Sequence, residues 1–184
     1  AGAGAVASVL TNAFPYSSTA WASLLLVHNR RLSVTRPGQQ LLYSLSYDRG
    51  LFDRHGRFEE SLRAGEDTEF NARFQARDRA VLAIDAITAH RYPTNWREML
   101  RDAFRRGRLQ ARMQGALEGR GPRNVRVALR GPLGVLSAID VSVRSPSAQR
   151  RVLMRSWPLM MVGAVAYTMG ALTTPPGTPQ GTLT

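Results

Sequence analysis

The sequence contains no cysteine and no lysine. Without thiols, disulfides and thiolate metal centres are excluded and the redox compartment stays undetermined. With lysine absent, all 25 basic residues are Arg, set against 13 acidic ones, for a formal net charge of +12. So uniform a preference fits a genome biased toward Arg codons, and the charge therefore says less about a partner than its size implies. Nucleic acid, an anionic membrane surface and a phosphorylated small molecule are all compatible with it. Histidine is scarce: His28, His55 and His90 are the only three. Long apolar runs are missing as well. The uncharged stretch from Trp157 to Leu172 has sixteen residues, short of the roughly twenty that span a bilayer. The opening Ala-Gly-Ala-Gly-Ala-Val-Ala-Ser-Val-Leu lacks the basic region of a signal peptide and reads as an internal strand.

The 184 residues present suffice for one domain with a core and an appendage. Ala5 to Thr11 reads as a buried strand, and Thr19 to about Arg30 as a helix capped by Ser18 or Thr19, with His28 partly exposed. A basic loop holding Arg30, Arg31 and Arg36 follows, then a strand from Leu41 to Tyr47. Arg49 to Arg54 makes a short helical turn stopped by Gly56, with His55 exposed. Ala80 to Ile84 and Ala86 to Ala89 read as two short strands split by Asp85, placing His90 at a sheet edge before Pro93. Thr94 caps the longest helix, Asn95 to about Leu117. Trp96, Met99, Leu100, Ala103 and Phe104 form its buried stripe, and Arg97, Arg101, Arg105, Arg108 and Arg112 a second, basic one.

Residues 118–144 read as a linker with two short apolar segments, broken at Arg130-Gly131-Pro132 and Gly134. Ser145-Pro146 opens a final helix over 145–172, with Arg150, Arg151 and Arg155 near its start and Trp157 suited to a headgroup layer. The Pro-, Gly- and Thr-rich residues 173–184 read as a disordered tail.

The organising stretch runs from Ser46 to Glu69. Gly65 ends a polar loop, and Phe70 and Phe74, one turn apart, indicate a helix from Glu66 to Arg77. Glu66 and Asp67 then sit at a helix N-terminus, where unpaired N–H groups and the macrodipole favour an ionised carboxylate able to accept a proton. Acidic residues are common there for capping alone. Only the surrounding sequence gives the pair more meaning.

That surrounding sequence is Leu45-Ser46-Tyr47, Phe52-Asp53, Gly56, Phe58, Glu60-Ser61-Leu62 and Gly65-Glu66-Asp67-Thr68-Glu69, followed by an apolar strand, His90 and an Arg-rich helix. As a block it resembles the C-terminal, acceptor-side portion of family 2 glycosyltransferases of GT-A fold, over about Ala3 to Arg112. The resemblance implies an α/β protein: a partial GT-A-like mixed sheet flanked by helices over 1–117, with a C-terminal hydrophobic helix associated with a membrane. It implies inverting transfer of a sugar from a nucleotide-diphosphate donor to the hydroxyl of a carbohydrate or lipid-linked acceptor. Asp67 would be the catalytic base and Glu66 would orient the acceptor. Arg105 and Arg106 would neutralise the leaving diphosphate, and His90 would lie near it and near a divalent metal, Mn or Mg. Ser44, Asp48 and Arg57 depart from the family's usual residues.

Family members carry the metal-binding Asp-x-Asp motif in an N-terminal half, and no such motif precedes this region. The chain is accordingly expected to be either part of a longer enzyme or a truncated product without the donor site, to work at the cytoplasmic face of the cell membrane, held peripherally or by one C-terminal helix, and to transfer nothing alone. The alternative is a non-catalytic Arg-rich module for nucleic acid or anionic membrane. Nucleic acid is not the expected partner, because the basic residues lack interleaved aromatics and no nucleic-acid-binding motif occurs.

Overall fold

The computed structural model describes residues 4–32, 43–60, 65–118 and 123–175. They form an α/β protein with a three-stranded mixed sheet and six α-helices. Strand β1 (Ala5–Asn12) lies in the middle, antiparallel to β2 (Tyr43–Tyr47) and parallel to β3 (Ala80–His90). The two stretches either side of Asp85 are one strand rather than two. Its register against β1 jumps from Ser8↔Ala83 to Val9↔Ile87, so Ile84, Asp85 and Ala86 are absorbed as an irregularity that lets the polar residue stay in the strand. The expected residues 41 and 42 of β2 lie outside the described part of the chain.

One face of the sheet is covered by α2 (Arg49–His55) and α3 (Glu66–Gln75). Ala5 meets Leu51, Phe70 and Phe74 there, all fully buried. Around them Tyr47, Phe52 and Phe58 complete an aromatic cluster, with Phe52 stacked on Phe70 at 4.9 Å and the Tyr47 ring edge-on to Phe70 at 5.3 Å. Much of the motif that carried the resemblance is thus the packing beneath α3. Gly56 (φ +76°) and Gly65 (φ +86°) take left-handed conformations that end α2 and begin α3. Arg73 ties the two together, bonding Glu69 at 2.6 and 2.9 Å, the Arg57 carbonyl at 2.7 Å and the His55 carbonyl. His55, expected to be exposed, is almost covered and bonds Asp78 at 2.6 Å.

A second core lies between α1 (Ser18–His28), α4 (Trp96–Glu118), α5 (Arg123–Arg144) and α6 (Ser147–Leu172). Helix α1 is capped by Ser17, whose Oγ accepts from the Ala20 N–H at 3.2 Å, and not by Ser18 or Thr19. Asn95 does the same for α4 in place of Thr94, its Oδ1 accepting from Arg97 N–H at 2.8 Å. Trp96 is exposed and stacks under Arg97 rather than joining the buried stripe. At the other end of the basic stripe Arg112 is buried.

The largest departure from expectation is α5. The region read as a linker with broken apolar segments is one continuous helix through Pro132, because its apolar positions are held against α6 and α1 along their length. Helices α5 and α6 form an antiparallel hairpin: Trp157 Nε1 donates to Ser142 Oγ at 3.4 Å, and Thr168 Oγ1 to the Ala128 carbonyl at 3.1 Å. Ser145 belongs to the end of α5, bonding the Val141 carbonyl, so α6 starts at Ser147. Among the described residues no helix is long and apolar enough to cross a membrane, so of the two expected forms of attachment, peripheral or by one C-terminal membrane helix, the spanning helix is not found. Residues 176–184 lie outside the described residues.

Candidate functional site

Helix α3 begins at Glu66 with three carboxylates, Glu66, Asp67 and Glu69, in its first turn. Glu69 is taken up by Arg73. Asp67 is exposed, and its Oδ1 accepts from the Thr68 N–H at 2.7 Å and the Thr68 hydroxyl at 3.2 Å. Beneath it Tyr47 donates to Asn71 Oδ1 at 2.8 Å. Burial and then the charge of Asp67 raise the Tyr47 phenol above its ordinary value, against the pull of that hydrogen bond. Asp67 therefore stands on a rigid aromatic base with its carboxylate turned outward.

It faces a cleft of about 500 Å³. Gly65, Asp67 and Thr68 form one side, and Arg31, Arg106 and Arg130 bring three guanidinium groups from the turn after α1, from α4 and from α5. Leu26, Leu109 and Tyr167 supply apolar wall. A carboxylate with three guanidinium groups around one cleft is an arrangement that binds anions and can also accept a proton.

Arg106 also lines a second pocket, of about 460 Å³, with His90, Tyr92, Arg101 and Arg105. Asp102 orients both predicted arginines, taking Arg106 Nε at 2.6 Å and Arg105 at 2.9 Å. Burial alone would raise the Asp102 carboxyl, but the bonds and charges of Arg106 and Arg105 outweigh it and hold the group below its usual range. His90 is lowered by burial first and then by Arg106. It is packed at 4.4 Å against Tyr92 and edge-on at 5.6 Å to His28.

His28, like His55, is more buried than the sequence suggests. It is buried, with Nδ1 2.6 Å from the Tyr92 hydroxyl, and burial followed by the charges of Arg31, Arg106 and His90 brings its pKa down to about 3. The clue was available: α1 is apolar on nearly every side, as a helix surrounded by protein must be. The sequence places Arg31 only in a basic loop and Arg130 only at a break between two apolar segments.

Of the predicted site residues, Asp67 and Arg106 share the cleft, and Arg106, Arg105 and His90 share the second pocket. Glu66 is half-buried on the same turn as Asp67 and is absent from the described lining of either. Among the described residues no group of three or more His, Asp or Glu could hold a metal ion. His90 could furnish one ligand, but the residues described here do not make a metal centre together. No known protein family, curated protein or solved structure matches the chain.

Proposed function

We propose that the cleft is the acceptor side of an inverting glycosyltransferase acting on a nucleotide-diphosphate sugar. The observation that carries this reading is the placement of Asp67, on a helix N-terminus, across one cleft from Arg31, Arg106 and Arg130. Asp67 takes the proton of an acceptor hydroxyl as that oxygen attacks the anomeric carbon. The bond from the anomeric carbon to the diphosphate oxygen breaks, and its electron pair leaves with the diphosphate. Arg106, fixed by Asp102 at 2.6 Å, takes up the developing charge together with Arg31 and Arg130. His90, kept neutral by burial and by Arg106, serves as an imidazole hydrogen-bonding group beside Arg106. The apolar wall of Leu26, Leu109 and Tyr167 suits an acceptor with hydrocarbon or sugar-ring faces, so a carbohydrate or a lipid-linked acceptor fits the same cleft.

The test is sugar transfer by the product of the whole open reading frame that encodes this chain. Asp67→Asn keeps the shape and removes the base, and should lower kcat by about 10²- to 10⁴-fold with little change in donor KM. Glu66→Gln, outside the lining, should cost far less. Transfer by the Asp67→Asn enzyme at the parental rate would overturn the assignment.

A further inference from the structure

The α5–α6 hairpin has an outer surface that the proposed reaction does not use. On α5, Leu129, Leu133, Leu136 and Val143 recur at spacings that put them on one face, and each is more than half exposed. On α6, Met161, Val165 and Met169 do the same. Both helices bury their opposite faces in one core, through Val135, Ala138 and Val141 on α5 and Leu153, Met160 and Ala164 on α6, which turns the two stripes outward. A continuous apolar surface of this kind marks a docking site.

Its charge says what docks. Residues 123–172 carry seven Arg and one acidic residue, Asp140, which is paired with Arg144 at 3.1 Å. Arg126 and Arg144 run along one border of the α5 stripe, and Arg150, Arg151 and Arg155 are exposed at the start of α6. An apolar stripe bordered by arginines matches the layering of an anionic bilayer, with hydrocarbon inside and phosphate above. A second copy of the chain is disfavoured, because a twofold contact through this face would set the same arginines against one another. Among the described residues no helix is long and apolar enough to cross a membrane, so the hairpin is placed in the plane of the surface.

We infer that the outer face of the α5–α6 hairpin docks the protein on an anionic lipid surface, Leu133, Leu136 and Val165 entering the acyl boundary and the bordering arginines meeting lipid phosphates. This does not depend on what the cleft does, since none of these three apolar residues lines it.

Co-sedimentation of the full chain with vesicles tests it. The chain should partition onto vesicles of phosphatidylglycerol and phosphatidylcholine and far less onto phosphatidylcholine alone, with binding that weakens as salt is raised. Leu136→Glu should lower partitioning by about tenfold or more. The double variant R151Q/R155Q should lose roughly 25-fold, about fivefold for each charge removed. Both changes are at exposed positions, and an unchanged circular dichroism spectrum and thermal midpoint certify the fold. Failure to bind anionic vesicles, or binding that Leu136→Glu leaves intact, overturns the inference. So does a concentration-dependent dimer that Leu136→Glu dissociates while vesicles capture nothing.

Discussion

Gly107 of α4 and Gly170 of α6 lie where the two helices touch backbone to backbone: a Cβ on Gly107 would collide with the Tyr167 carbonyl oxygen, and one on Gly170 with that of Phe104. No side chain separates the helices at this point, and that closeness lets α6 serve as the axis on which α4, α5 and α1 are assembled.

Gly107→Ala and Gly170→Ala should therefore destabilise the fold although alanine is the better helix former. The propensity gain is about 1 kcal/mol. Overpacking costs about 1–3 kcal/mol and more when the obstacle is main chain, which cannot rotate away. A net loss of roughly 1–2 kcal/mol for each is expected in urea denaturation. A gain in stability for either would show that the helices are not in contact there.

The same contact shows why part of this architecture could be read from the sequence and part could not. Strands β1 and β2, helices α1 to α4 and the start of α3 at Glu66 are legible because local signals set them: apolar runs and periodicity, and the left-handed glycines Gly56 and Gly65. Helix α5 was not, because Pro132, Gly131 and Gly134 argue against a helix locally and only the tertiary fit to α6 overrides them. Gly131 itself sits against the Ala164 carbonyl and Thr168. In the cleft, Asp67 and Arg106 could be picked out by residue type and motif. Arg31 and Arg130 could not, because they arrive from two elements whose juxtaposition depends on how α1, α5 and α6 pack.

Phe70 is the keystone of the other core, fully buried and ringed by Phe52, Phe58, Tyr47 and Phe74. Phe70→Ala should cost about 3–5 kcal/mol, read as a lowered denaturant midpoint. Because Phe70 is on the first turns of α3, the same change should loosen Asp67, and near-ultraviolet circular dichroism should lose its aromatic signal before the far-ultraviolet helix signal falls.

Stability should fall on acidification between pH 7 and pH 5, before carboxylates titrate. His28 has a folded pKa of about 3 against an ordinary value of 6.5. Below 6.5 the unfolded chain binds a proton that the native state refuses, so stability is whole above that point and declines by about 1.4 kcal/mol per pH unit as pH drops. His90 is shifted in the same direction and adds to the slope. Urea midpoints at the two pH values measure it, and His28→Gln, which cannot titrate, should flatten it. A slope unchanged in that variant would mean that His28 is protonated in the native state.

Arg105 and Arg106 were both picked from the sequence as diphosphate ligands, and the structure separates them. Arg105 is 72 % exposed and lines the second pocket but not the cleft, whereas Arg106 is 36 % exposed and lines both that pocket and the cleft facing Asp67. Both are held by Asp102, so a difference between them cannot come from loss of the ion pair alone. A charge-assisted hydrogen bond in a partly covered site is worth about 1.5–3 kcal/mol, but a solvated surface charge about 0.2–1 kcal/mol. Arg106→Gln should therefore weaken inorganic diphosphate binding by about tenfold or more, and Arg105→Gln by less than about fivefold. Phosphorus NMR titration at low ionic strength measures both. Equal losses would assign the diphosphate to the second pocket, beside His90, and move the leaving group away from Asp67.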